Sequence, residues 1–398
     1  MSTVSPEKTA HATLESLSIS GYRRLHSVSM PMRPLAVMIG ANGSGKTSFL
    51  EVLSLLAASA QGGLRKKISD LGGMSEILTR DKADAIELSA IVRSEKPGNP
   101  CVTYSLELVS RGLFYGVGSE SVVGPHAETA EPFFYLDRVG SKIRGMYDTS
   151  FHPIDLSKAP LPDETTLSVA NGHGSSVNGD LRACLSSISF YRPIDVSARS
   201  PIRIPQSVQP VTRPGENGED LVSCLYNWRE TEPVCFELVE DTLHAAFPDF
   251  EKLSFPPVAA GTLAMTWKDR NFSKPLYMHQ LSEGTLRFLW LTCLLLSRSL
   301  TAITLIDEPE VSLHPDMLSL LADLLRGASK KTQLIVATHS DRLIRALRPA
   351  EVLICDTEDG LSKLTWGDSP DLDLERWMKD YTLDELWSMN ILGGRPCW

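Results

Sequence analysis

The chain of 398 residues is long enough for one large domain with insertions or for two smaller domains. Hydrophobic residues make up 42% of it and charged residues 22%, a balance typical of globular proteins, and the net charge of −10 disfavours a free-standing nucleic-acid-binding protein. The longest apolar candidate, Phe288 to Leu296, is shorter than the roughly 20 residues that span a bilayer, and the first residues lack the apolar segment of a signal peptide, so we expect a cytoplasmic protein with no membrane contact.

The first 192 residues are predicted to form an N-terminal lobe of strands with one strand–turn–helix unit. Residues 1–12 are predicted to be a disordered lead-in. Leu14 to Ile19 alternates apolar and polar residues, as half-buried strands do, whereas Leu35 to Ile39 is continuously apolar, as in a fully buried strand. A glycine-rich turn and an apolar helix from about Thr47 to Ala58 follow. Further strands separated by turn residues predict an antiparallel meander, at Ile86 to Val92, Val102 to Leu108 and Phe133 to Leu136.

The middle of the chain, residues 193–255, is expected to form a lid insertion. Residues 157–181 before it are rich in Ser, Gly, Asn and Asp and predict a loop. Prolines recur between residues 193 and 218 and exclude a long helix, so we expect an extended connection there. Asp220 to Phe247 then has helical spacing, with apolar residues on one face.

Residues 256–370 alternate strands with helices and are expected to form a C-terminal lobe. This alternation is typical of a parallel or mixed sheet flanked by helices. Residues 371–398 form an aromatic tail, which either packs on its own head or docks a partner. The predicted helices are Glu283 to Ser297, Pro315 to Gly327 and Arg342 to Leu347, and the predicted strands are Ala302 to Ile306, Gln333 to Ala337, Glu351 to Cys355 and Leu361 to Trp366.

The most specific motif lies between the first buried strand and its helix. It fits the phosphate-loop pattern GxxxxGK[ST] at every fixed position. Its glycines let successive backbone N–H groups point at phosphate oxygens, and the helix that follows presents its positive N-terminus. We expect Lys46 to reach the terminal phosphates and the Thr47 hydroxyl to bind Mg²⁺. The predicted nucleotide-binding residues are Gly40, Ala41, Asn42, Gly43, Ser44, Gly45, Lys46 and Thr47.

A second apolar strand, far downstream, ends in two carboxylates. Together with the phosphate loop, this pattern predicts that Asp307 holds Mg²⁺ and that Glu308 orients or deprotonates an attacking water. His339 follows a third buried strand, at the edge where α/β sheets bind ligands. We therefore expect Lys46, Glu308 and His339 to form a hydrolytic site.

These motifs occur in the order found in ABC-type ATPase heads. Between the phosphate loop and the two carboxylates, Leu281 to Thr285 resembles the LSGGQ signature, with Glu283 in place of its first Gly and Thr285 in place of Gln. The segment from Asp307 to Pro315 is similar to the "DEPExxLHP" of the RecF/SMC/OLD-like branch of soluble AAA family ATPases, and Thr338-His339-Ser340 is similar to the "THS" of that branch.

The resemblance implies an α/β fold, a P-loop NTPase head of ABC type with an antiparallel β subdomain and a helical lid insertion. It implies an ATPase that uses ATP and Mg²⁺ and forms a head-to-head homodimer or higher homo-oligomer. In this dimer, Ser282 and Gly284 of one copy would contact the γ-phosphate held by Lys46 of the other, and His339 would contact the same phosphate. OLD-type relatives carry a TOPRIM nuclease after the ATPase, for which the chain has no room. We therefore expect a separate nuclease or TOPRIM-like effector protein that acts on nucleic acid, in bacterial anti-phage defence.

Alternatives to this interpretation stay open at this point. A RecF-like ATPase of recombination and repair would bind DNA directly, which requires a basic face. A scaffold would bind ATP with little turnover, although the intact pair of Asp307 and Glu308 argues against it. A transporter ATPase is disfavoured by the altered signature. No glutamine-loop residue can be placed, because Gln61 is available but follows the first helix too soon.

Overall fold

The computed structural model describes residues 12–94, 99–112, 114–126, 131–146, 161–170 and 177–391. The predicted lead-in therefore lies outside the described residues except for Ala12, as do the end of the aromatic tail from residue 392 and parts of the loop predicted at 157–181. The strands are β1 (Thr13–Tyr22), β2 (Leu25–Pro31), β3 (Leu35–Gly40), β4 (Ala85–Arg93), β5 (Cys101–Arg111), β6 (Phe114–Pro125), β7 (Pro132–Val139), β8 (Lys142–Met146), β9 (Ser189–Tyr191), β10 (Gln206–Ser207), β11 (Phe250–Ser254), β12 (Pro257–Ala259), β13 (Thr262–Leu263), β14 (Thr266–Asp269), β15 (Leu276–Tyr277), β16 (Ile303–Asp307), β17 (Gln333–Ala337), β18 (Val352–Glu358) and β19 (Leu361–Trp366). The helices are α1 (Lys46–Gln61), α2 (Leu64–Asp70), α3 (Met74–Ile77), α4 (Val177–Ser186), α5 (Leu221–Thr231), α6 (Pro233–Ala246), α7 (Glu283–Leu296), α8 (Met317–Ala328), α9 (Asp341–Arg345), α10 (Leu374–Trp377) and α11 (Leu383–Ser388).

An antiparallel sheet forms the first layer, in the order β2-β1-β4-β5-β6-β7-β8. Every adjacent pair in it is antiparallel, which is the predicted meander. The sequence reading missed β6, because the glycines of its FYGVGSESVVGP segment interrupt the alternation of a strand. Its Val117 and Val122 are nevertheless buried under the sheet.

A second sheet lies at the centre, in the order β19-β18-β3-β17-β16-β9. The strands from β18 to β9 are parallel, and only β19 runs against its neighbour. Successive residues of β17 face opposite layers: Leu334 and Val336 pack with α7 and α8, whereas Ile335 and Ala337 pack with α1 and the antiparallel sheet. Because both faces are covered, these strands are continuously apolar.

The lid region consists of two helices and two small sheets. The helical segment predicted at Asp220 to Phe247 is divided at Glu232 into α5 and α6, because Pro233 cannot continue the first helix and instead begins the second. The small antiparallel sheets have the orders β10-β13-β12 and β11-β14-β15. Trp228 of α5 is 1% exposed and packs in the same core as α7, so the lid is joined to the C-terminal lobe by apolar burial.

Two predictions need correction or completion. Helix α4 begins at Val177, within the segment predicted as loop, because Val177, Leu181 and Leu185 recur at helical spacing and are buried. Within the described part of the aromatic tail, Leu386 and Trp387 are buried in the core beside α9, whereas Trp377 and Tyr381 are exposed. Within the described residues, no helix combines the length and apolar character that crossing a membrane requires.

Candidate nucleotide site

The phosphate loop connects β3 to α1 at the carboxyl edge of the parallel strands. Gly43 and Gly45 have positive φ angles of 78° and 110°, a backbone region that side chains other than glycine rarely adopt. A β-carbon on Gly45 would lie 2.4 Å from the Ser362 hydroxyl oxygen, and this hydroxyl also donates a 2.6 Å hydrogen bond to the Ser44 carbonyl. Strand β19 therefore supports the loop from outside and fixes its curvature.

Lys46 lies inside the loop. Its side chain is 4% exposed, and its Nζ donates hydrogen bonds to the carbonyl oxygens of Gly40 at 2.5 Å and Ala41 at 2.9 Å. Burial lowers the pKa of Lys46 to about 8, against the opposing attraction of carboxylates that include Asp307. This cation is held at the sheet edge by two neutral acceptors, which an anionic ligand could replace.

Asp307 ends β16, next to the phosphate loop. Its carboxyl has a pKa raised to about 6, first by burial and then by the neighbouring Glu308, whereas Arg192 and Lys46 act in the opposite direction. The exposed Thr47 hydroxyl stands at the start of α1. A hydroxyl and a half-buried carboxylate suit Mg²⁺, which takes only one or two protein oxygens when a nucleotide supplies the rest. The donor set of this chain therefore fits Mg²⁺.

Glu308 and His339 approach each other beyond the ends of β16 and β17. The distance from Glu308 Oε1 to His339 Nε2 is 3.8 Å. Glu308 has a left-handed φ of 45°, and its N–H donates a 2.8 Å hydrogen bond to Ala337, so the turn directs the carboxylate away from the strand. Burial and the charge of Lys46 lower the pKa of His339, which keeps the imidazole neutral near pH 7.

Glu310 is a residue that the sequence reading did not select. Its Oε1 accepts a 2.8 Å hydrogen bond from the backbone N–H of His339, and its Oε2 is buried without a hydrogen-bond partner among the described residues. Burial raises the pKa of this carboxyl. Glu310 therefore ties the turn after β16 to the turn after β17. The available signal was a third acidic residue, three positions after Asp307.

Ser282 and Gly284, the predicted signature residues, begin α7. The Ser282 hydroxyl caps the helix by accepting a 3.1 Å hydrogen bond from the Thr285 N–H, and its side chain is exposed. Gly284 lies directly against Ser312, because a β-carbon there would be 2.4 Å from the Ser312 carbonyl oxygen. Neither signature residue hydrogen-bonds to the phosphate loop of its own chain within the described ranges.

Gln61 does not lie at this site. It ends α1, and its amide donates a 2.7 Å hydrogen bond to the Ser186 carbonyl. The short strand β9, which the sequence reading missed, instead pairs with β16 and places Arg192 near Asp307. The Arg192 guanidinium lies over the Phe190 ring, 4.8 Å from its centroid. The only signal for this residue in the sequence was its place directly after Phe190 and Tyr191 and before Pro193.

Two family models match separate segments of this chain. Residues 186–345 match the family model described as "AAA domain, putative AbiEii toxin, Type IV TA system", and residues 13–97 match the family model described as "AAA ATPase domain". Both matched models describe AAA-type domains, and the two matched segments contain the phosphate loop, Asp307, Glu308 and His339. No curated protein matches the chain significantly.

Solved structures show that the chain has the fold of an SMC head. It matches an Smc head bound to the C-terminal winged-helix domain of ScpA, with 15% identity, a TM-score of 0.53, and coverage of 89% of this chain and 97% of that one. It also matches a Pyrococcus furiosus Smc head with an extended coiled coil, bound to the C-terminal domain of ScpA, with 13% identity, a TM-score of 0.53, and coverage of 92% and 100%. The predicted fold class is thereby confirmed.

Proposed function

We propose that this protein is an ATP-driven switch: it binds ATP with Mg²⁺, closes head to head with a second copy, and reopens when ATP is hydrolysed. The observation that carries the proposal is the convergence of Lys46, Asp307, Glu308 and His339 at one edge of the parallel sheet. Lys46, Asp307 and His339 come from separate segments of the sequence, and Glu308 directly follows Asp307. Such an arrangement is expected of a phosphoryl-transfer site, where positioned charges do most of the work.

Each residue has a role that follows from its chemistry. Lys46 would exchange its two carbonyl acceptors for the terminal phosphates of ATP. Thr47 and Asp307 would hold Mg²⁺, which, when bound, neutralises charge on the phosphate oxygens. Glu308, half exposed at the mouth of the site, would orient and deprotonate water. The neutral His339 would donate a hydrogen bond to the γ-phosphate.

The homodimer is proposed from the position of the signature. Ser282 is exposed at the N-terminus of the fourteen-residue helix α7, where free N–H groups and the helix dipole favour an anion. Its own chain's phosphate loop makes no hydrogen bond with it in the described part of the structure. A second head that faces the first could bring Ser282 and Gly284 to the phosphates held by Lys46, which would complete both sites.

The output of the switch is proposed to be a separate effector that acts on nucleic acid, of nuclease or TOPRIM-like type, in bacterial anti-phage defence. The family model over residues 186–345 names a toxin of a toxin–antitoxin system, which supports a defence role. The two similar Smc heads are bound to domains of ScpA, which supports a protein partner for a head of this fold. Neither similarity identifies the effector.

The test is the molar mass of wild-type and Glu308→Gln protein, with and without ATP and Mg²⁺, measured alongside phosphate release. We expect the variant to form an ATP-dependent dimer and to lose hydrolysis by about 10²-fold or more, since a general base contributes that much. A Glu251→Ala variant, which removes an exposed carboxylate on β11, is the control. A mass that never responds to ATP, together with hydrolysis by the variant at the wild-type rate, would overturn the proposal.

A further inference from the structure

A polar cavity of about 440 Å³ lies between α1, α2, β9 and the lid region, and its wall contains no phosphate-loop residue. Its wall includes Ser54 and Gln61 of α1. With a helical rise of about 1.5 Å per residue, Ser54 and Gln61 lie roughly 12 Å and 22 Å along the axis from Lys46. The cavity is therefore a separate place in the fold, large enough for a small ligand.

Two cations line this cavity without protein partners. Lys67 of α2 is half-buried, and Arg192 follows β9. Within the described residues, neither side chain makes a hydrogen bond or an ion pair. The guanidinium of Arg192 is kept in place by its stacking over Phe190. Burial and the charge of Arg192 both lower the pKa of Lys67, so the two like charges are close enough to repel each other.

The acidic residues of the wall leave these cations available. The carboxylate of Asp195 already accepts hydrogen bonds from the Ser197 N–H at 2.8 Å and the Ser197 hydroxyl at 3.0 Å. Glu216 is exposed, and it forms no ion pair with either cation within the described residues. Desolvation and nearby Glu219 raise the pKa of its carboxyl, whereas Lys67 and Arg192 act in the opposite direction. Lys67 is half-buried and Arg192 is exposed, and an oxyanion that both could bind would offset the burial of Lys67 and the repulsion between the two cations.

We propose that the cavity between Lys67 and Arg192 is a second, regulatory binding site for a small phosphate-bearing anion, either inorganic phosphate or the phosphate of a mononucleotide. Lys67 and Arg192 would donate to the phosphate oxygens, and a nucleotide would place its sugar or base toward Glu216 and Gln61. Arg192 also faces Asp307, so an occupant of the cavity would draw Arg192 away from the Mg²⁺-binding carboxylate. The site would then report phosphate or nucleotide level to the nucleotide site.

The experiment is a calorimetric titration of inorganic phosphate and of AMP into full-length Lys46→Met protein, in which the phosphate loop has lost its cation. Lys67→Met is added to this background, because methionine keeps the apolar stem of lysine. Lys66→Met is the matched control, since Lys66 is exposed on the same helix and does not line the cavity. Loss of one charge-assisted hydrogen bond predicts a Kd raised about tenfold or more by Lys67→Met and by less than about twofold by Lys66→Met.

The two ligands distinguish the sources of the phosphate group. An AMP affinity about tenfold above that of phosphate, lost with Lys67→Met, would identify a nucleotide as occupant. Equal affinities, both dependent on Lys67, would identify phosphate alone. Equal behaviour of the Lys67 and Lys66 variants, or no binding below about 10 mM, would overturn the proposal. Protection of the amides of Leu64–Asp70 from hydrogen exchange by phosphate in wild-type protein gives a second readout that needs no variant. ATP-dependent dimerisation is measured separately, so failure of the ATP switch would leave this result intact.

Discussion

Replacement of Glu310 by alanine tests how the turn that carries His339 is held. The Glu310 carboxylate accepts a 2.8 Å hydrogen bond from the His339 N–H, and alanine would leave this N–H without its acceptor. A hydrogen bond to a charged group contributes about 1.5–3 kcal/mol, part of which is offset because a buried carboxylate is removed, so we expect a net loss of about 1–2 kcal/mol. We expect the same loss to weaken the positioning of His339 during hydrolysis. Because about 1.4 kcal/mol in the activation free energy corresponds to a tenfold change in rate, turnover should fall about tenfold.

The assay combines urea unfolding, hydrogen exchange of the His339 amide and steady-state ATP hydrolysis in the same preparations. We expect Glu310→Ala to speed exchange of that amide and to lower turnover about tenfold with a smaller change in KM. Glu310→Gln keeps a carbonyl acceptor and should recover most of both losses. Unchanged exchange at His339 in Glu310→Ala, with wild-type turnover, would refute the reasoning. Glu251→Ala, on the exposed side of β11, controls for loss of a carboxylate elsewhere.

Other predictions follow from packing and from pKa shifts. Gly284→Ala should lower the free energy of unfolding by about 1–3 kcal/mol, because the new β-carbon would meet the Ser312 carbonyl oxygen. Gly327→Ala should raise it by about 0.5–1 kcal/mol, because this helical position has nothing within 4 Å of an added β-carbon. Equal urea midpoints for the two variants would contradict this. Lys331→Met should lower the free energy of unfolding by about 1–3 kcal/mol in the same assay, because the Lys331 ammonium donates to three carbonyls at the end of α7. Lys330→Met, at the exposed position before it, should leave the free energy of unfolding unchanged. The lowered pKa of His339 means that the unfolded chain takes up its proton at higher pH than the folded one. Stability should therefore fall as pH drops through about 6.5, and His339→Gln should lose this part of the pH dependence, which unfolding curves between pH 5.5 and 7.5 would measure.

The candidate nucleotide site could be recognised where its residues are consecutive in the sequence. The phosphate-loop pattern fixes four residue types within eight successive positions, and its flanking strand and helix carry strong apolar patterns. Asp307 and Glu308 were found because a buried strand leads directly into them. The fold class followed from the order of these segments, and the structure confirms it.

Other parts of the site could not be predicted because their meaning depends on distant segments. Strand β9 has only three residues, too few for a pattern, and it is a strand because β16 lies beside it. Arg192 becomes a neighbour of Asp307 only through that pairing. Glu310 looks like an exposed acid in the sequence, and its role comes from the backbone of His339, 29 residues further on. Gln61 was considered for its residue type, which says nothing about its position.

The central sheet has a consequence for how the protein is made. Strand β3 ends at Gly40, but its two parallel neighbours, β17 and β18, begin only at Gln333 and Val352. At about 5–20 residues per second, the ribosome needs roughly 15–60 s to deliver β17 after β3 has emerged. During this interval both edges of β3 lack the strands that pair with them in the folded protein, and the phosphate loop that follows β3 lacks its neighbours. A nascent chain should therefore acquire nucleotide binding late and in one step, and should depend on chaperones until then.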